Sequence, residues 1–346
     1  MYDLSMQGKG KMEKLKVGIC GYGGLGRVHV GSMMAMDDVE IVAVCDNNPE
    51  RLESKEVKIN IEHNGPVFDI RNCRTYLDFR KMLKKEKLDA VVTALPTDIH
   101  AKYAVMAMNE GIHVFSEKPM ALNSRECDKM IKARDENKVQ LQIGQCLRFW
   151  PEYEMLEKAV SEKTYGPLKS LTMTRIGGYS TWAEWFNDGK LSGGAILDLH
   201  LHDVDWAQHA LGMPKAICAA GVVGRSGAVD DVTALWQYDG FVVTIRGSWM
   251  YQTFSMSFQA FFENAAMDFG VHPDTALRVN VRGDKGFRKV DLPSNENGYS
   301  REMRYFLDSV RGKVKNTVCT AESTKESVGL VMLENKSIAR QKWISI

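Results

Sequence analysis

The chain has 346 residues, 44% of them hydrophobic, and its 45 Lys and Arg balance 44 Asp and Glu. That length predicts two domains of ~150 residues each, and the even charge leaves no basic footprint for nucleic acid or an anionic membrane. No apolar run approaches the ~20 residues a membrane helix needs, and residues 1–16 lack a signal peptide's apolar core, so a cytoplasmic protein is expected.

In chain order, residues 1 to about 12 carry no periodicity and are expected to be a disordered leader, with Met12 an alternative start. A strand at 17–20 then runs into Gly21-Tyr22-Gly23-Gly24-Leu25-Gly26. In this GxGxxG spacing Gly21 allows a tight turn, Gly23 lets the backbone approach a pyrophosphate, and Gly26 brings the helix close to the strand. Gly24 and Leu25 open that helix, whose unpaired N–H groups and dipole favour a diphosphate. The second strand, 41–45, ends at Asp46, twenty positions after Gly26, where a carboxylate accepts from a ribose 2′-hydroxyl. A 2′-phosphate there would meet like charge, which predicts NAD(H) over NADP(H), a preference that Arg51 softens. Asp46 also reads as a turn residue opening Asp46-Asn47-Asn48-Pro49.

Further strands at 90–95, 113–115 and 139–143, separated by helical patterns at 98–109 and 124–137, predict a doubly wound parallel sheet over residues 13–143. Ser116-Glu117-Lys118-Pro119 leaves one of these strands at the carboxyl edge, where open α/β sheets bind ligands. Lys118 there can reach cofactor and substrate; the plainer reading is a solvated loop lysine.

Beyond Gly144, longer alternating runs at 168–176, 232–238, 241–249 and 254–262 predict an antiparallel sheet, with Asp239-Gly240 as a hairpin turn. Helices at 152–163, 196–211, 300–311 and 324–340 complete an α+β second domain over 144–346. The glycine-bounded loop 177–189 carries Tyr179, Trp182, Glu184, Trp185 and Asn187, a composition that suits either a lid over a sugar ring or a packing loop. On a continuous helix Asp198 and His202 share a face, and a carboxylate beside an imidazole makes a proton-abstracting dyad; the alternative is a capped helix with a core histidine. His200 and His202 form an HxH, but on a helix their side chains diverge by about 200°, so no metal is expected. Seven cysteines, at 20, 45, 73, 127, 146, 218 and 319, include no CxxC pair and read as reduced, mostly buried thiols.

Taken together and in this order, these elements resemble the glucose-fructose oxidoreductase, inositol dehydrogenase and MocA family of NAD(P)-dependent oxidoreductases over nearly the whole chain. The resemblance rests on the GxGxxGxxH of Gly21 to His29, on Asp46, on Leu95-Pro96-Thr97-Asp98-Ile99-His100, on Glu117-Lys118-Pro119, on Arg148-Phe149, and on Asp198 and His202 before Asp205. It implies an N-terminal Rossmann domain and a C-terminal domain whose large open, mostly antiparallel sheet makes a homodimer or homotetramer interface. It implies that Leu95, Pro96, Thr97, His100, Glu117 and Lys118 join the glycines and Asp46 around the cofactor. Lys118 would then stabilise the reacting oxygen, His202 take the hydroxyl proton, and Asp198 orient or charge that imidazole. The implied substrate is a sugar, inositol or related polyol, with Arg148, Arg175, Tyr179, Trp182, Trp185 and His200 as expected contacts. One departure is His200, where the family often has glycine; it is expected either toward the substrate or on the helix's other side. Two further readings are a dinucleotide-binding regulator without turnover, and a lyase or hydrolase using transient oxidation.

Overall fold

The structure, a computed structural model, describes residues 13–53, 68–294 and 296–346; the expected leader and Met12 lie outside them. Strands β1 (Leu15–Cys20), β2 (Val39–Cys45), β3 (Arg74–Tyr76), β4 (Ala90–Thr93), β5 (His113–Glu117) and β6 (Leu141–Gly144) form a parallel sheet in the order β3-β2-β1-β4-β5-β6. β4 and β6 are buried along their whole length, as strands covered on both faces must be. The strand order reverses between β1 and β4, which opens a ligand crevice at their carboxyl ends. β3 was not foreseen: its Arg-Thr-Tyr is a largely exposed edge strand without an apolar signature.

The second sheet contains β7 (Leu168–Ile176), β8 (Ala216–Val223), β9 (Val229–Gln237), β10 (Val242–Ser248), β11 (Ser255–Phe262), β12 (Ala265–Phe269), β13 (Arg278–Val281), β14 (Arg288–Lys289) and β15 (Ile344–Ser345). Their order is β14-β13-β12-β11-β7-β10-β9-β8-β15, antiparallel except where β7 pairs with β10. Val232, Ala234 and Trp236 of β9 are buried while Thr233, Leu235 and Gln237 are exposed, the alternation of a sheet with one face on the core. The helices Leu201–Leu211 and Ala321–Arg340 pack together over the buried face, with Trp206 and Trp236 among its largest buried side chains.

Two features depart from a simple division of the chain. The expected helix over 196–211 is interrupted, running Ala195–Asp198 and resuming at Leu201–Leu211. At the break, the His200 N–H donates to the carbonyl of Ala195 rather than Ile196, a widened turn. His200 there packs against Gly247, where an added Cβ would come within 2.5 Å of the histidine's own Cβ. Further on, the helix Gly298–Val310 returns to the first sheet, where Met303, Phe306 and Leu307 pack with Val17, Ile19 and Phe115. Arg304 and Arg311 fasten it to Asp38, just before β2.

Candidate active site

A cavity of about 1310 Å³ opens at the carboxyl end of the parallel sheet and extends to the second domain, lined by residues of both. Pockets for a single small ligand usually hold about 300–1,000 Å³, so this one has room for two ligands side by side.

At its first-domain end, Gly21 has φ +91°, and an added Cβ would lie 2.1 Å from the Ala94 carbonyl oxygen. A Cβ on Gly26 would lie 2.0 Å from the Gly21 carbonyl oxygen, so both positions require glycine for packing. Gly23 differs: no described atom lies within 4 Å of its added Cβ, and its open side lies on the cavity wall. The helix Gly24–Met34 begins there with no side-chain cap and no acidic residue in its first turn, so its N–H groups remain available to an anion. This cradle fits the diphosphate of a dinucleotide. Asp46 lies beside it, buried, accepting from Tyr22 N at 2.8 Å and Asn48 N at 2.9 Å. The carboxylate thus closes its own turn and lines the cavity as well, with Arg51 at 3.4 Å. The turn reading of Asp46 holds, and its place on the cavity wall is compatible with the ribose reading.

Leu95 and Pro96 line the cavity, but Thr97 and His100, expected beside the cofactor, do not. His100 instead bonds the carbonyls of Pro119 and Leu95, each at 2.7 Å, and so ties the loop after β4 to the loop that carries Lys118. Glu117 is on the wall and is braced from behind: its carboxylate meets His29 Nε2 at 2.5 Å and accepts from Lys118 N at 3.1 Å. The fully buried Glu302 completes this cluster, with one ring nitrogen or carboxylate oxygen of each of the three side chains within 4.8 Å of the others. Burial, then the charge of Glu117, raises the Glu302 carboxyl well above the usual range. Glu302 carried no sequence signal, because its place depends on a helix that returns to Glu117 from 185 positions further along the chain.

Lys118, Asp198 and His202 share the cavity wall, but their pairing differs from the dyad expected on a continuous helix. Lys118 Nζ donates to Asp198 Oδ1 at 2.8 Å and to its carbonyl oxygen at 2.9 Å. Among the described residues no hydrogen bond joins Asp198 to His202, because the break at Leu199-His200 interrupts the helical ladder between them. Of the His202 ring nitrogens, Nδ1 is buried without a partner, which leaves Nε2 as the one open to the cavity. Burial, then the positive charges of Lys118 and Arg175, hold this imidazole well below its ordinary range, so it is neutral near pH 7.

The expected substrate contacts divide. Trp182 and Trp185 line the cavity, and Trp185 stacks on Phe186 with centroids 3.8 Å apart. Arg175 reaches the wall but is held by Asp203 at 2.8 Å. Arg148, Tyr179 and His200, expected at the substrate, are not among the residues that line the cavity. Arg148 is buried in a two-bond pair with Asp205, at 2.6 and 2.8 Å. Tyr179 turns to Asp230 at 3.1 Å, and His200 is a core residue bonded to Glu334 at 2.9 Å. Spacing alone had no access to these buried counter-charges. Trp249 and Phe254, which line the cavity, were read only as strand residues.

Comparison with known proteins follows the same two-part division. An oxidoreductase family with an NAD-binding Rossmann fold, GFO/IDH/MocA, matches residues 15–145, and the GFO/IDH/MocA C-terminal domain matches residues 153–286. A myo-inositol 2-dehydrogenase of Thermotoga maritima is 23% identical over 350 residues, covering 96% of this chain and 98% of that protein. A scyllo-inositol 2-dehydrogenase (NADP(+)) of Bacillus subtilis is 24% identical, covering 90% of this chain and 83% of its own. Among solved structures, the WlbA dehydrogenase of Bordetella pertussis in complex with NADH and UDP-GlcNAcA superposes with a TM-score of 0.78 at 22% identity, over 96% of this chain and 99% of that one.

Proposed function

Because this chain belongs to the GFO/IDH/MocA family of oxidoreductases, we propose that it is a nicotinamide-dependent dehydrogenase acting on a secondary alcohol of a sugar, inositol or related polyol. The observation that carries this reading is the meeting of an ammonium group, Lys118, and a neutral imidazole, His202, on the wall that continues the dinucleotide cradle. His202 Nε2 takes the hydroxyl proton as the carbinol C–H bond breaks, and a neutral ring is the state that can accept it. Lys118 donates to the oxygen as it becomes a carbonyl, where charge develops and a fixed cation has most leverage. Asp198 serves that lysine rather than the histidine, holding the ammonium in place from its side chain and carbonyl. A bound nicotinamide supplies the hydride acceptor.

Asp46 supports NAD(H) over NADP(H), since a 2′-phosphate would be forced against a buried carboxylate. The exposed face of the nine-stranded sheet, with Leu235, Val242 and Phe261 outward, suits pairing with a second copy of the chain. Seven free thiols suit a reducing, cytoplasmic compartment, and no described helix is long and apolar enough to cross a membrane.

The test is NADH absorbance with purified protein over a panel of sugars and inositols, with Lys118→Ala and His202→Ala beside the unaltered enzyme. Each variant is expected to lose about 100-fold or more in kcat. Near-normal turnover in either would remove its assigned role, and product without net NADH would replace this reading with a redox-neutral one.

A further inference from the structure

The second-domain part of the cavity wall carries more aromatic surface than one sugar ring can cover. Loop 177–189 contributes Trp182, Trp185 and Phe186, and the connection from β10 to β11 contributes Trp249 and Phe254. The two segments are zipped together, Gly177 N donating to Ser248 O at 2.8 Å and Tyr251 N to Gly177 O at 3.0 Å. The rings form one run: Trp182 to Phe186 at 6.0 Å, Phe186 to Trp185 at 3.8 Å and Phe186 to Trp249 at 6.4 Å. Phe254 stands at the rim, 43% exposed. A pyranose or cyclitol presents one C–H face to an aromatic ring and needs hydroxyl partners elsewhere, so it leaves most of this run uncovered.

Charge narrows the choice further. The described cavity wall carries six Lys or Arg, of which Arg27, Arg51, Arg80 and Lys102 belong to the dinucleotide-binding half. The other two are engaged: Lys118 by Asp198 and Arg175 by Asp203, each at 2.8 Å. Among the described residues, a diphosphate or carboxylate on the substrate would meet no unspent cation in this half of the cavity, and would face Asp198 and Glu117 on the same wall. Burying an unpaired anion is costly, whereas an uncharged apolar group gains by leaving water.

From this wall we propose that the substrate is an uncharged glycoside whose aglycone is an aromatic group, seated against Trp182, Trp185, Trp249 and Phe254. The inference rests on the sugar dehydrogenase reading for the position of the reacting ring. It separates this chain from enzymes that take nucleotide sugars, whose diphosphate would find no unspent cation among the described residues of this part of the wall.

The experiment uses matched pairs of phenyl and methyl pyranosides of several sugars, together with myo-inositol and UDP-glucose. NADH production gives kcat/KM, and calorimetric titration of the NADH-loaded protein gives binding. A phenyl glycoside is expected to exceed its methyl partner at least tenfold in kcat/KM and in affinity, with UDP-glucose inert. Phe254→Ala and Trp182→Ala are expected to bring the phenyl-to-methyl ratio to within about threefold of unity. Because this is a ratio on one preparation, a partly misfolded variant does not mimic the result; Phe254→Leu, which keeps the volume, should retain an intermediate ratio. Turnover of inositol or methyl glycosides without a phenyl preference would overturn the aglycone site and leave the dehydrogenase reading intact. Phenyl-selective binding without turnover of any pair would do the reverse. Preference for UDP-glucose, or neither binding nor turnover of any pair, would overturn the inference.

Discussion

Replacing Asp198 by asparagine keeps the side chain's shape and removes its charge, which tests whether this carboxylate serves Lys118 or His202. The Lys118 ammonium is 2.8 Å from Asp198 Oδ1, and the two side chains are only 13% and 11% exposed. Exposed ion pairs contribute about 0.2–1 kcal/mol, while breaking a buried one costs about 3–5 kcal/mol. A pair this sheltered but open to a cavity falls between them, and Lys118 keeps its bond to the Asp198 carbonyl oxygen, so the coupling should be about 2 kcal/mol. The assay is a pair of double-mutant cycles read from urea unfolding: Lys118→Met with Asp198→Asn, and Asp198→Asn with His202→Gln. The first should show that coupling, and the second less than about 0.5 kcal/mol, within the additivity of unpaired sites. A larger coupling between Asp198 and His202 than between Lys118 and Asp198 would refute the pairing and restore the carboxylate-braced imidazole.

Three other outcomes follow from individual contacts. Arg148→Ala strands the buried Asp205 carboxylate and should lower stability by about 3–5 kcal/mol in thermal melts, while KM for the alcohol in the surviving fraction stays within about twofold. Gly23→Ala has room in the fold but fills the cradle, so NADH fluorescence titration should give at least tenfold weaker binding with an unchanged melting temperature. Asp46→Ala should narrow the NAD-to-NADP preference in kcat/KM by about 10–100-fold; it also strands the N–H groups of Tyr22 and Asn48, at a stability cost of about 1–3 kcal/mol.

Much of the fold was legible because its signals are local. The helix expected over 124–137 is the observed Ser124–Asn137, capped by Asn123, and β7 occupies the expected 168–176. Gly240, at φ +81°, makes the hairpin turn read from Asp239-Gly240. Of the candidate site, the proximity of Lys118, Asp198 and His202 on one wall was legible, but not their pairing. Assigning Asp198 to His202 required an unbroken helix, and at the break His200 sits in the core against Gly247, a contact across 47 positions that spacing does not show. Arg148 and Arg175 were expected to contact the substrate, yet each is matched by a buried carboxylate, Asp205 or Asp203, that spacing alone cannot pair. Trp249 and Phe254, in the connection from β10 to β11, looked like strand hydrophobes because their exposure to a cavity appears only once two loops are zipped together.

The pH dependence of kcat/KM on an oxidised alcohol tests the central claim most directly. The His202 imidazole is held below its ordinary value of 6.5 by burial and two positive neighbours, and it must be neutral to accept the proton. Activity should therefore stay level as pH falls to 6.5 and decline only below it, and His202→Ala should lose both that limb and about 100-fold in rate. An acid limb at or above pH 6.5, or a His202→Ala enzyme with the same limb and near-normal rate, would contradict the account.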